Sequence, residues 1–230
     1  MTEAAGAAPQ ERQPRQDGPP PGSPGGHPLI YGLAHAASRL VGRLLFRQRV
    51  LHREFLPEAG GALIVANHAS FLDPALVGAC FRNPIHYLAR KTLFTGFLGW
   101  LLPRIQVLPV ELGKGDLASM KRILRLLKEG NRVLIFPEGT RSPDGTLQAA
   151  EAGIGFLIAK GGVPVIPVRL FGAYECWPRA ARWPRPGRIT VVAGPPVDLS
   201  GLPADLTGRE SYQACADRVM QALAAIEPGP

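Results

Sequence analysis

The stretch 62-ALIVANHASFLDPALVG-78 decides the fold. Its apolar run, Leu63-Ile64-Val65-Ala66, stops at Asn67-His68. A short apolar run bounded by polar residues reads as a buried strand, here at 62–66. Asp suits the N-cap of a helix and Pro its first position, so Asp73-Pro74 predicts a helix at 74–81. His68 then lies in the turn between strand and helix. In open α/β sheets, sites form at the carboxyl ends of strands.

His68 and Asp73 could not face each other along a continuous helix, where five steps of ~100° leave them about 140° apart. A turn that folds back could bring the carboxylate to the imidazole. Asp73 would then accept from one ring nitrogen, and the other could take a proton from a substrate hydroxyl. A capping Asp beside a histidine bonded to backbone fits these two residues equally well.

The 230 residues suit one domain with ample core. Lys and Arg number 26 against 18 acids, a net charge of +8. Such a balance points to an anionic partner: nucleic acid, a membrane surface or a phosphorylated ligand. Cys80, Cys176 and Cys215 stand alone, without CxxC or metal-ligand spacing, which fits a reducing compartment. Residues 1–28 are rich in Pro, Gly, Gln and Ala and read as a disordered tail, with no apolar signal region. No run of about eighteen uncharged apolar residues follows, so no spanning helix is expected.

Residues 29–48 read as an amphipathic helix. Leu29, Ile30, Leu33, Leu40, Val41, Leu44 and Leu45 share one side of a helical wheel, and Arg39, Arg43 and Arg47 border it. A basic amphipathic helix of this kind can lie in a membrane interface, or simply pack on the domain. The remainder, 49–228, alternates. Strands are expected at 50–55, 62–66, 85–89, 105–109, 132–136, 163–168 and 189–193, and helices at 74–81, 93–102, 116–129, 149–160 and 209–226. This alternation predicts an α/β fold with a mostly parallel central sheet covered by helices.

A second polar loop follows the expected strand at 132–136: Pro137-Glu138-Gly139-Thr140-Arg141-Ser142. Gly139 lets backbone approach a ligand, and Thr140, Arg141 and neighbouring N–H groups could cradle a phosphate. A tight turn held by a Glu138–Arg141 pair is the plainer alternative.

Taken in order, NHASFLD, FPEGTRS and VPVIPVRLFG resemble the lysophospholipid acyltransferase family, the 1-acylglycerol-3-phosphate O-acyltransferase-like glycerolipid enzymes, over roughly residues 49–197. The resemblance implies an O-acyltransferase. His68 of the His-x4-Asp motif would deprotonate the acceptor hydroxyl, Asp73 would orient it, and Glu138, Gly139, Thr140 and Arg141 would help bind the acceptor's phosphate. The acyl donor would be acyl-CoA or acyl carrier protein, with no metal, no other cofactor and no covalent acyl-enzyme, so Cys80 and the motif serines are not nucleophiles. The implied acceptor is a lysophospholipid, most directly 1-acylglycerol 3-phosphate giving phosphatidic acid, at the cytoplasmic face of a membrane as a peripheral protein. Glycerol 3-phosphate and a non-glycerol lysolipid are the alternative acceptors.

The middle block, "ARKTLFTGFLGWLLPRIQVLPVELGKGD", departs from the pattern. Relatives carry an acid and then an arginine where Glu111 and Leu112 stand, and a lysine near Glu151. Lys114, Lys91 or Arg169 could replace the missing cation. The apolar bulk at Phe94, Phe97, Leu98, Trp100, Leu101 and Leu102 reads by default as a core helix, and otherwise as an acyl groove or membrane-facing patch. The segment 176-CWPRAARWPRPGR-188 interleaves Trp and Arg, which suits lipid headgroups or single-stranded nucleic acid. A nucleic-acid binder would leave the two polar loops unexplained and shows no recognised motif, so no nucleic-acid partner is expected. A thioester hydrolase could use the same His–Asp pair.

Overall fold

The structure, a computed structural model, describes residues 26–111, 117–202 and 208–229. Its strands are β1 Arg49–Leu51, β2 Ala62–Ala66, β3 His86–Arg90, β4 Val107–Val110, β5 Arg132–Ile135, β6 Val165–Phe171 and β7 Thr190–Ala193. They form a seven-stranded sheet in the order β1-β7-β6-β2-β5-β3-β4. Every pairing is parallel except β6 with β7. The mostly parallel sheet expected from the alternation is therefore present.

β2 sits at the centre, and each of its residues is buried. The two-residue period of a strand divides them. Ala62, Ile64 and Ala66 join Phe46, Leu76 and Phe81 on one face. Leu63 and Val65 join Leu127, Leu157, Val219 and Leu223 on the other. Burial on both faces explains why the strand reads as an unbroken apolar run.

The helices are α1 Pro28–Leu45, α2 Asp73–Gly78, α3 Gly96–Arg104, α4 Leu117–Lys128, α5 Ala152–Gly161, α6 Ala173–Cys176 and α7 Arg209–Ala224. α2 packs against the first face of the sheet. α4, α5 and α7 cover the second.

Several boundaries differ from expectation. The strand expected at 50–55 stops at Leu51, because His52 takes a left-handed conformation (φ 54°) and Arg53–Phe55 turns as a 3-10 helix. Gly96, with φ 50°, delays the helix expected from 93, and Lys91–Leu93 forms a separate 3-10 turn. β6 continues to Phe171 because its ladder with β7 does. Lys114, Leu112 and nearly all of the expected tail lie outside the described residues.

α1 presents its face in an unusual sense. The side turned to the domain carries Tyr31, His35 and Gly42: the Tyr31 hydroxyl accepts from Ile85 N–H at 3.1 Å, and His35 Nε2 donates to Phe81 O at 2.9 Å. The leucine stripe faces away, with Leu29 66%, Leu33 64%, Leu40 57% and Leu44 67% exposed. α3 buries no residue, and Phe97 and Trp100 stand exposed, so the default expectation of a core helix is overturned. Among the described residues no helix is long and apolar enough to cross a membrane.

Candidate active site

β2 and β5 are parallel neighbours in register, Val65 opposite Ile135. The loops that follow them therefore leave the sheet side by side at its carboxyl edge. Two motifs far apart in sequence meet there for this topological reason.

The first loop is organised by Asp73, which is fully buried. Its Oδ2 accepts the N–H groups of Ala69 and Ser70, each at 2.7 Å, and lies 2.9 Å from His68 Nδ1. A carboxylate can only accept, so Nδ1 carries the hydrogen, and Nε2 is the acceptor nitrogen of the neutral ring. Nε2 has no partner among the described residues. Phe136 stacks on the imidazole with ring centroids 4.1 Å apart, which fixes its plane. Asp73 thus holds the His68 imidazole in a fixed orientation. It does not cap α2: that helix begins at Asp73 itself, after Leu72, and the carboxylate turns back into the preceding loop.

Asn67 anchors the start of this loop. Its side chain accepts from Leu170 N–H at 2.7 Å and donates to Leu170 O at 3.1 Å, tying the end of β2 to β6. Ser70 Oγ donates to Trp177 O at 3.0 Å, which draws in the Trp/Arg segment.

The second loop is bonded to the first. Glu138 Oε1 accepts His68 N–H at 3.0 Å, and Ser142 N–H donates to His68 O at 2.7 Å. Burial pushes the Glu138 carboxyl up to about 7, against the pull of the His68 and Gln148 N–H groups. Glu138 and Arg141 do not form the pair that the sequence allowed. Instead the Arg141 guanidinium lies over the Phe71 ring, with Cζ 3.4 Å from its centroid, and Phe71 in turn leans on Trp177 at 5.4 Å. Arg141 Nη1 is buried without a partner among the described residues. Burial and the nearby Arg179 charge lower the Arg141 pKa. Gly139 has φ 64°, and a Cβ there would come within 2.7 Å of Glu151 Cγ, so no other residue fits the turn without strain. Thr140 is exposed beside it.

Of the three cations that could replace the missing arginine, the two described ones are occupied. Arg169 Nη1 donates to the carbonyls of Leu223, Ala224 and Ile226 and caps the C-terminus of α7. Lys91 pairs with Glu111 at 3.3 Å. An apolar cavity of about 250 Å³ opens beside Phe71, with Tyr31, Ala75, Tyr87, Leu93 and Leu102 in its walls. Among the described residues no group of His, Cys, Asp and Glu could hold a metal ion.

Sequence reading gave no role to Phe71 or Phe136, quoted Asn67 only as part of NHASFLD, and placed Arg179 only in the Trp/Arg segment. Their contacts run between loops that no single segment reveals.

The chain matches the acyltransferase family model over residues 47–170. It is 32% identical to a 1-acyl-sn-glycerol-3-phosphate acyltransferase of Pseudomonas aeruginosa, over 71% of this chain and 63% of that protein. A Bacillus subtilis protein of the same name is 28% identical, over 86% of this chain and 97% of its own. The crystal structure of the 1-acyl-sn-glycerophosphate acyltransferase PlsC from Thermotoga maritima superposes with a TM-score of 0.67 at 23% identity, covering 86% of this chain and 81% of that one, and shares its fold. With its two motif loops joined at the carboxyl edge of β2 and β5, the chain belongs to the acyltransferase family.

Proposed function

We propose that this protein transfers a fatty acyl group from a thioester to the free hydroxyl of 1-acylglycerol 3-phosphate, forming phosphatidic acid. The observation that carries the reading is His68 Nδ1 held 2.9 Å from Asp73, beside a loop whose Arg141 keeps an unpartnered N–H. The relatives' names support lysophosphatidate as the acceptor.

The acceptor hydroxyl donates to His68 Nε2 and attacks the thioester carbonyl carbon. As the C–O bond forms, Nε2 takes the proton and the Asp73 charge stabilises the imidazolium. The tetrahedral intermediate collapses, the C–S bond breaks, and the leaving thiolate recovers a proton from Nε2. His68 thereby returns to its starting state, and no acyl group is ever held on the protein.

Arg141, Thr140 and the Gly139 turn bind the acceptor phosphate, Arg141 Nη1 being a donor without a partner among the described residues. Glu138 serves that loop from within, through the His68 N–H. Lys114 is proposed as a further cation. The cavity beside Phe71 takes an acyl chain, since its lining is mostly apolar and Phe71 also touches Arg141. Acyl-CoA and acyl carrier protein are the donor classes. The outward leucine stripe of α1 and the exposed Phe97 and Trp100 hold the protein on a membrane surface.

Purified protein with a long-chain acyl-CoA and with acyl carrier protein thioester should be offered lysophosphatidate, glycerol 3-phosphate and lysophosphatidylcholine in turn. Phosphatidate formed only when lysophosphatidate is present is the expected result. Fatty acid released at the same rate without any acceptor would identify a hydrolase instead.

A further inference from the structure

A groove lined by three arginines lies away from the two motif loops. α2 starts at the site with Asp73 and runs away from it, and just past its far end Ala79 borders a groove of about 550 Å³. Arg39 and Arg43 of α1 and Arg53 of the 3-10 turn line this groove, and no carboxylate does. Arg53 is held in place, its Nη1 donating to Cys80 O at 2.7 Å. Gln48, also in the wall, is fixed by Nε2 donating to Leu76 O at 3.0 Å. Arg39 and Arg43 make no ion pair or hydrogen bond with described residues. The acids nearest in sequence are engaged elsewhere, Glu54 with His52 at 3.3 Å and Glu58 with Arg82 at 3.9 Å.

Like charges gathered without a counter-charge favour an anion between them, and guanidinium forks match phosphate oxygens. The groove's rim supplies the rest of the ligand. Leu40 lines it, and Leu40 and Leu44 belong to the exposed stripe of α1. A lipid seated here would place its phosphate among the arginines and its chains along those leucines.

We propose that Arg39, Arg43 and Arg53 form a binding groove for the phosphate of an anionic membrane phospholipid, separate from the acceptor site. The inference rests on the reading that α1 faces a membrane. It makes the groove the feature that chooses anionic over zwitterionic membrane. Each basic residue at such a surface contributes roughly fivefold in affinity, so about 25-fold for a pair.

The test is co-sedimentation of the full chain with vesicles of pure phosphatidylcholine and of phosphatidylcholine mixed with phosphatidylglycerol. Wild type should prefer the anionic vesicles. Arg39→Ala/Arg43→Ala should lose most of that preference, about 25-fold, while binding neutral vesicles as before and keeping full acyl transfer in detergent micelles. Arg122→Ala/Arg125→Ala removes the same charge from α4, on the opposite face of the sheet, and should keep the preference. Inorganic phosphate equal to the lipid phosphorus should not release wild type. The groove is overturned if the Arg39/Arg43 variant keeps its preference, if the α4 variant loses as much, or if inorganic phosphate displaces the protein, which marks a free-anion site. Equal wild-type binding to both vesicles overturns the groove alone. Binding to neither overturns the membrane reading with it.

Discussion

Arg141 Cζ stands 3.4 Å from the centroid of the Phe71 ring. The contact joins the loop after β5 to the loop after β2, as the His68–Glu138 bond also does. It orients the guanidinium without consuming its donors, since a ring face accepts the cation and takes no N–H, and Nη1 has no partner among the described residues. An arginine prepared in this way suits a phosphate that arrives with the acceptor.

Arg141→Ala should therefore raise the KM for lysophosphatidate while leaving the donor's nearly unchanged. A charge-assisted hydrogen bond is worth about 1.5–3 kcal/mol, or roughly 10- to 150-fold. Phe71→Leu should give a smaller change in the same direction, because the guanidinium loses its support. Arg179→Ala should also weaken the acceptor, given its charge beside Arg141. Steady-state kinetics with each substrate varied in turn is the check, and a donor-only effect would reassign this loop.

Asp73→Asn tests the orienter. The amide oxygen can still accept from Ala69 and Ser70, but the negative charge facing the imidazolium is gone. We expect kcat to fall about 10²–10⁴-fold. Unlike a change at the surface, this one also weakens bonds at a fully buried group, so a stability loss of roughly 1–3 kcal/mol should accompany it in urea unfolding.

Glu138 predicts a pH dependence of stability. Its carboxyl titrates at about 7 in the folded protein against an ordinary 4.5. Across that interval the folded state holds a proton that the unfolded chain has lost, so stability falls as pH rises through it. Glu138→Gln keeps an acceptor for the His68 N–H and removes the titration. Urea midpoints at about pH 5 and about pH 8 should converge for the variant relative to wild type. Parallel slopes for the two proteins would show that Glu138 is not the source.

Asn67→Ala should cost more than a loop substitution ordinarily does. It strands the N–H and carbonyl of Leu170 at the junction of β2 and β6. A loss of roughly 1–3 kcal/mol is expected. Thermal unfolding should show a drop of roughly 2–4 °C per kcal/mol for a chain of this size, and kcat should fall too, because the base sits on the next residue.

How much of this was legible in the sequence depended on which force set each feature. β2 and the helices of its two faces follow from apolar periodicity, which burial on both sides of a central strand imposes directly. The pairing of His68 with Asp73 was one of two readings the spacing allowed, and the 2.9 Å contact between Nδ1 and the carboxylate, with no side-chain cap on α2, shows which one the fold adopts. The role of Glu138 was not legible, because its partner is a backbone N–H in another loop. The outward face of α1 was half legible: the stripe is visible in the pattern, but its direction depends on Tyr31 and His35 meeting Ile85 and Phe81. The break at His52 had no sequence signal, since a left-handed histidine is a tertiary outcome.

The most direct test of the account is the transfer of labelled acyl groups to lysophosphatidate by folded His68→Ala, compared with wild type. Wild type should form phosphatidate, and the variant should lose roughly 10²–10⁴-fold in kcat with its fold, followed by circular dichroism, intact. Turnover near the wild-type rate in folded His68→Ala would contradict the assignment of His68 as the base, and with it the mechanism.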